Sequence, residues 1–117
     1  MADITVRTLV DRLGLSVCSG ADRMEQPVTG GYASDLLSCV MAGAQAGNVW
    51  ITLQAHMNVV AVAALLDLAC VIITEGAQPE EGALRRAEER HIPLLLTEES
   101  TYTVVARLAA LGVPGAR

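Results

Sequence analysis

The sequence predicts an α/β fold, a layered α/β/α domain built on a mostly parallel sheet. Three observations carry this. Short apolar runs, VWITL at 49–53 and CVIIT at 70–74, are bounded by turn residues in the manner of buried strands. Segments of about 10 to 15 residues with helical spacing or cap signals lie between the strands. Finally, the polar strand endings TLQAH, ITEGA and LTEES recur at the same place in three successive strand–helix units. Alternating strands and helices form βαβ units with right-handed crossovers, which set the strands parallel and cover the sheet with helices.

The elements follow in order. Thr5 caps a first helix through Leu13, whose Val6, Leu9, Val10 and Leu13 share one face and whose end is marked by Gly14. Residues 15–18 form a short strand closed by Ser19-Gly20. VTGGYAS at 28–34 reads as a strand breaking into a glycine turn, after which Ser34 or Asp35 caps a helix carrying Leu36, Leu37, Val40 and Met41. Gly43 and Gly47 punctuate its end. The strand at 49–53 leads to a helix over 56–66, with Asp67 in the turn, and the strand at 70–74 leads to a turn in which Pro79 opens the next helix. Residues 80–91 are acidic first and basic last, which suits the helix dipole and describes a solvated surface helix. A strand from Pro93 to Thr97 and a final helix that Glu98-Glu99-Ser100 starts and that runs through Leu111, ended by Gly112 and Pro114, complete the chain.

At 117 residues the chain has the size of one domain, residues 1–117, able to bury about two thirds of its unfolded surface. Hydrophobic residues make up 52% and charged residues only 18%, an apolar surplus that a subunit interface would absorb, so a homodimer is expected. The formal net charge of −5 argues against nucleic-acid and anionic-membrane partners, and Trp50, Tyr32 and Tyr102 are too few to stack bases. No apolar run reaches the ~20 residues of a membrane span, because Asp67 interrupts the longest. The opening MADITVRTLVDRLG lacks a basic start followed by an apolar run, so no signal peptide is expected. Cys18, Cys39 and Cys70 are odd in number and form no CxxC, which suits buried, reduced thiols in a cytoplasmic protein.

Ligands of parallel sheets bind beyond the carboxyl ends of the strands. Thr52, Gln54, His56, Asn58, Thr74, Glu75, Gly76, Thr97 and Glu98 gather along that edge, with Thr29, Gly30, Gly31, Ser34 and Asp35 joining them as ligand or interface candidates. Thr29-Gly30-Gly31 is not a nucleotide fingerprint, since GxGxxG and GxxxxGK[ST] are absent and the chain has no lysine. It is either a tight turn with positive φ at Gly30 or Gly31, or a pair of amides approaching a ligand. His56 is a hydrogen-bonded structural or interface histidine, or a ligand contact. No carboxylate stands at ligand or triad spacing before it, so neither a metal site nor a catalytic apparatus is expected. Asp35 reads as a helix cap or first-turn acid, and Arg23 as an exposed or ion-paired loop residue.

Asp22-Arg23, TGGYASDLLSCVM at 29–41, WITLQAHMNVVAVA at 50–63, VIITEG at 71–76 and IPLLLTEESTY at 92–102 together resemble the DRTGG domain. The resemblance covers nearly the whole chain. It implies an α/β layered fold similar to the N-terminal domain of HPr kinase/phosphorylase and related to the N-terminal domains of Mur ligases. It also implies a non-catalytic regulatory or assembly module that occurs beside CBS domains in regulated pyrophosphatases and often sits at a dimer interface, and no cofactor. The kinase reaction itself needs a P-loop, which this chain does not have. By the same resemblance the partner is an enzyme, with multisubunit redox enzymes among those such small proteins accompany. Two readings follow: a self-associating module serving a protein partner, with a small anionic or nucleotide-like ligand at the strand carboxyl edge, or a sensor of a nucleotide or phosphometabolite.

Overall fold

Thr5 starts the first helix as its position demands. In the computed structural model, which describes residues 3–116, its hydroxyl accepts from the Thr8 amide at 3.3 Å while the Thr8 hydroxyl accepts from the Thr5 amide at 3.1 Å. This reciprocal cap satisfies two amides that lack partners inside the helix. Met1, Ala2 and Arg117, which the single-domain reading of 1–117 includes, lie outside the described residues. Helix α1 (Val6–Leu13) buries Val6, Leu9 and Leu13 and stops at Gly14, which takes the left-handed conformation of a helix end.

The sheet contains β1 (Ser16–Val17), β2 (Gly30–Ala33), β3 (Asn48–Thr52), β4 (Cys70–Ile73) and β5 (Leu94–Leu96) in the order β1-β5-β4-β3-β2. Strands β2 to β5 are parallel, and β1 pairs antiparallel with β5, Ser16 opposite Leu96. Helices α2 (Leu37–Gly43), α3 (Met57–Leu65), α4 (Glu81–Arg90) and α5 (Thr101–Leu111) complete the fold.

Side-chain alternation along the strands divides the core in two. Val49, Ile51, Cys70, Ile72 and Leu95 face α1 and α5, while Trp50, Val71, Ile73 and Leu94 face α2, α3 and α4. Because β2, β3, β4 and β5 advance in one direction across the sheet, crossovers of one hand put α2, α3 and α4 on the same face. Helix α5 leaves β5 for the other face.

The glycines of TGG make no turn. Gly30 and Gly31 lie inside β2 without positive φ, and the left-handed residue nearby is Gly47, at φ 82°, whose carbonyl accepts from the Thr29 amide. Gly30 instead allows close approach: a Cβ there would meet the Asn48 amide nitrogen and the Pro114 carbonyl, both at 3.2 Å. The chain end lies along β2, with the Gly31 amide donating to the Pro114 carbonyl and the Ala116 amide to the Gly31 carbonyl.

Neither Ser34 nor Asp35 caps α2 as expected. The cap position is Leu36, with no side-chain hydrogen bond, because the Asp35 carboxylate reaches across to the end of β3 instead. Three smaller shifts occur. The helix expected over 56–66 has His56 as its cap, Pro79 precedes the α4 cap residue Glu80 instead of opening the helix, and the first strand is confined to Ser16–Val17. Asp67 is the expected turn residue, with φ 58°, and Ser100 caps α5 by accepting from the Thr103 amide.

Of the three cysteines expected to be buried, only Cys70 is. Cys18 is half-buried, and Cys39 is exposed on the outer side of the short helix α2. Burial pushes the Cys70 thiol well up and the Cys18 thiol up less, so both hold less reactive thiolate at mild alkaline pH. Brief iodoacetamide treatment at pH 8 is expected to alkylate Cys39 first and Cys18 slowly, and to leave Cys70 unmodified until denaturant is added, as read by peptide mass spectrometry. Early labelling of Cys70 would contradict this packing.

Candidate functional site

Three neighbouring strands each end in a threonine, and each hydroxyl is consumed locally. Thr52, fully buried, donates to the Asp35 carboxylate at 2.8 Å and accepts from the Gln54 amide at 3.0 Å. Thr74, also buried, shares a 2.6 Å hydrogen bond with the Thr101 hydroxyl. Thr97 accepts from the Glu99 amide at 3.1 Å. A strand that stops in the core leaves loop amides without ladder partners, and a short β-branched side chain with a hydroxyl both fits the pleat and bonds them. The recurring TLQAH, ITEGA and LTEES are therefore first a structural device.

Around Thr52 the candidates bond one another. The same Asp35 oxygen accepts from the Leu53 amide at 2.9 Å, and the Gln54 side-chain amide donates to the Asp35 carbonyl at 3.2 Å, tying the loop after β2 to the loop after β3. Ser34 Oγ accepts from the Leu36 amide, and its carbonyl accepts from Trp50 Nε1. His56 Nδ1 accepts from the Asn58 amide at 3.0 Å, so the imidazole caps α3 and its proton sits on Nε2, 3.9 Å from Glu80. These residues are held in place, and the polar atoms described here already have partners.

The open space lies two strands away. A cleft of about 390 Å³, within the range of small-molecule sites, is lined by Gly76, Ala77 and Gln78 after β4, by Leu96, Thr97, Glu98 and Glu99 after β5, and by Leu13, Gly14 and Ser16. Its position follows from topology. The chain leaves β4 for α4 on one face and leaves the adjacent β5 for α5 on the other, so the two loops part and open a crevice beyond the strand ends.

Its walls are rigid and acidic. Glu75 and Gly76 are consecutive left-handed residues, at φ 64° and 71°. They are held by amides donated to the carbonyls of Glu99 and Thr97, and by the Glu75 carboxylate accepting from the Thr101 amide at 2.9 Å. The Glu98 carboxylate lies against Gly76, and Glu99 is paired with Arg107 at 2.8 Å. No basic side chain lines the cleft among the described residues.

Of the residues expected at this edge, Ser34, Asp35, Thr52, Gln54, His56 and Asn58 form the bonded group, while Gly76 and Thr97 line the cleft. Thr29 and Gly30 lie at the opposite edge, because β2 begins there, with Thr29 Oγ1 donating to the Ala46 carbonyl. Gly31 lines a separate apolar groove under α5. The sequence reading missed Leu13, Gly14 and Ser16, since nothing local announces that β1 returns antiparallel beside β5.

The DRTGG domain matches this chain over residues 8–111. The chain belongs to the DRTGG domain family. A search of curated proteins finds no match. Among solved structures this DRTGG domain is similar to the CBS and DRTGG domains of the regulatory region of Clostridium perfringens pyrophosphatase, complexed with its activator diadenosine tetraphosphate. The TM-score is 0.72 at 17% identity, covering 94% of this chain and 47% of that one. The chain therefore spans about half the length of that structure, and the likeness shows the fold. Among the described residues no helix is long and apolar enough to cross a membrane.

Asp35 is the hinge of the bonded group. Asp35→Ala leaves the Thr52 hydroxyl and the Leu53 amide without their acceptor and is expected to lower stability by about 1 kcal/mol, with Asp35→Asn costing less because one oxygen remains. Urea denaturation of the three proteins measures this, and equal losses in both variants would reject the acceptor role.

Proposed function

We propose that residues 1–117 act as a non-catalytic regulatory module that binds a small molecule in the cleft between the loops after β4 and β5 and transmits occupancy to a partner enzyme. The observation that carries this is the coincidence of the 390 Å³ cleft with the place where the connections from β4 and β5 diverge. Membership of the DRTGG family supports it, as does the similar fold in the regulatory region of a pyrophosphatase bound to an activator. The histidines support a non-catalytic reading: His56 Nδ1 caps α3, His91 Nδ1 bonds Asp22 at 2.8 Å, and among the described residues neither histidine is hydrogen-bonded to a serine, threonine or cysteine side chain.

Glu98 and Glu99 orient the ligand. They accept hydrogen bonds, so the part entering the cleft presents hydroxyl or amino donors, and a phosphate group stays outside. A thermal-shift panel of nucleosides, polyols, amines and phosphorylated metabolites tests this. A ligand at 100 times its Kd stabilises by about 2.7 kcal/mol, and Gln78→Trp, a substitution at an exposed position on the rim, should abolish that shift without altering the unliganded midpoint. A panel that moves nothing, or a shift unaffected by Gln78→Trp, would sink the cleft as the site.

A second reading, self-association, rests on a different feature. An apolar groove of about 150 Å³ runs between β2 and α5 past Gly31, Ala33, Ile51 and Val113, with Val105 at 39% exposure in its lining. Its removal from water would favour a homodimer, with the partner enzyme docking elsewhere. Light scattering across a hundredfold concentration range is expected to show a dimer that Val105→Glu converts to monomer. A wild-type chain that stays monomeric throughout excludes this reading.

A further inference from the structure

Asp22 and Arg23 take no part in either reading. They lie in a 3-10 turn, Ala21–Arg23, at the edge of the sheet where β4 and β5 begin, opposite the cleft. There Asp22 accepts from His91 Nδ1 at 2.8 Å, which holds His91 at the end of α4. Beside this pair is a cavity of about 170 Å³ whose lining includes Arg23, Gln26, Asp67, Arg90 and His91.

We infer that this cavity binds a small oxyanion of the phosphate class, held between the guanidinium groups of Arg23 and Arg90. Of the seven arginines among the described residues, Arg7, Arg85, Arg86 and Arg107 form ion pairs. Arg12, Arg23 and Arg90 do not, although the chain carries a net charge of −5 and offers carboxylates in excess, and of these three Arg23 and Arg90 line one cavity. The Arg23 head donates a 3.5 Å hydrogen bond to Gln26 Oε1, which leaves the Gln26 amide as a further donor. Two arginines without ion pairs lining one small cavity suit planar or tetrahedral oxyanions, because a guanidinium can donate two parallel hydrogen bonds.

Two opposing charges set the selectivity. The carboxyl ends of α3 and α4 point toward this edge and add partial negative charge, which Arg90 offsets in part. Asp67 lines the same cavity, and its carboxylate pairs with neither arginine, so an anion carrying its own proton or hydroxyl is preferred. The volume is below the ~300 Å³ of a metabolite-sized pocket, which suits the phosphate group alone, with any ester substituent outside. The site does not depend on the cleft reading, since the two lie at opposite ends of the strands.

The test is titration of the whole chain with inorganic phosphate, and separately with glycerol 3-phosphate, observed by nitrogen–proton NMR, with sodium chloride at matched ionic strength as control. Saturable shifts are expected at the Arg23 and Arg90 side chains and at Gln26 and His91, and not with chloride. Arg23→Gln and Arg90→Gln should each weaken binding about tenfold, the worth of one charge-assisted hydrogen bond, and Asp67→Asn should strengthen it. The wild-type spectrum elsewhere should be retained in the variants, since both arginines are exposed. The ester binding as tightly as free phosphate assigns the site to phosphorylated metabolites, and weaker ester binding assigns it to the free ion. Shifts reproduced by chloride, shifts confined to the β4 and β5 cleft, or unchanged affinity in the double variant would overturn the inference.

Discussion

Strands β3 and β4 are covered on both faces, and most of the structure depends on that double burial. Trp50, Val71 and Ile73 fill one side and Val49, Ile51 and Ile72 the other, all of them buried. A strand in that position has no solvated face, so its polar backbone must be satisfied by neighbouring strands along its length and by side chains where it stops. Thr52 and Thr74 meet the second need, each buried and each hydrogen-bonded. Polar chemistry is thereby confined to the two ends of the sheet.

Those ends differ in charge. The carboxyl edge carries Glu75, Glu98 and Glu99 around its cleft, where helix amino termini point, while the opposite edge mixes Arg23 and Arg90 with Asp22 and Asp67 near the carboxyl termini of α3 and α4. The three glutamates and the two arginines are each opposite in sign to the helix ends beside them, the arrangement that helix dipoles favour. A consequence for binding is that the end of the sheet where ligands usually enter is the less suited to phosphate. Thr29, Gly30 and Gly31, expected to join the carboxyl edge, do not gather there. Thr29 and Gly30 lie at the amino edge, and the amide of Gly31 is taken by the chain's own end at Pro114.

Several helix ends are legible because the interaction that fixes them is local. Thr5 with Thr8, Ser100 with Thr103, and Gly14 and Gly112 at helix ends are decided within one turn of backbone, so composition and spacing suffice. Asp35 was misread because its acceptor role is non-local: the residue looks like a helix cap, yet its carboxylate is closer to the end of β3. Gly30 was misread as a turn for the same reason, since the close approach that favours glycine comes from Pro114 and Gly115, far along the chain. The candidate site was half legible, with Gly76 and Thr97 found from the recurring strand endings and Ser16 and Leu13 hidden in a strand of two residues.

By itself the sequence determined the layered α/β fold, the order of its elements and its family, because hydrophobic period, caps and strand endings are short-range properties written residue by residue. The tertiary structure alone decided where the cleft opens, which arginines remain without ion pairs, and that WITLQAH ends in bonded structure instead of a pocket. These depend on β1 returning beside β5 and on α4 and α5 leaving adjacent strands for opposite faces. Crossover geometry brings together residues distant in the chain, and no local pattern encodes which of them will meet.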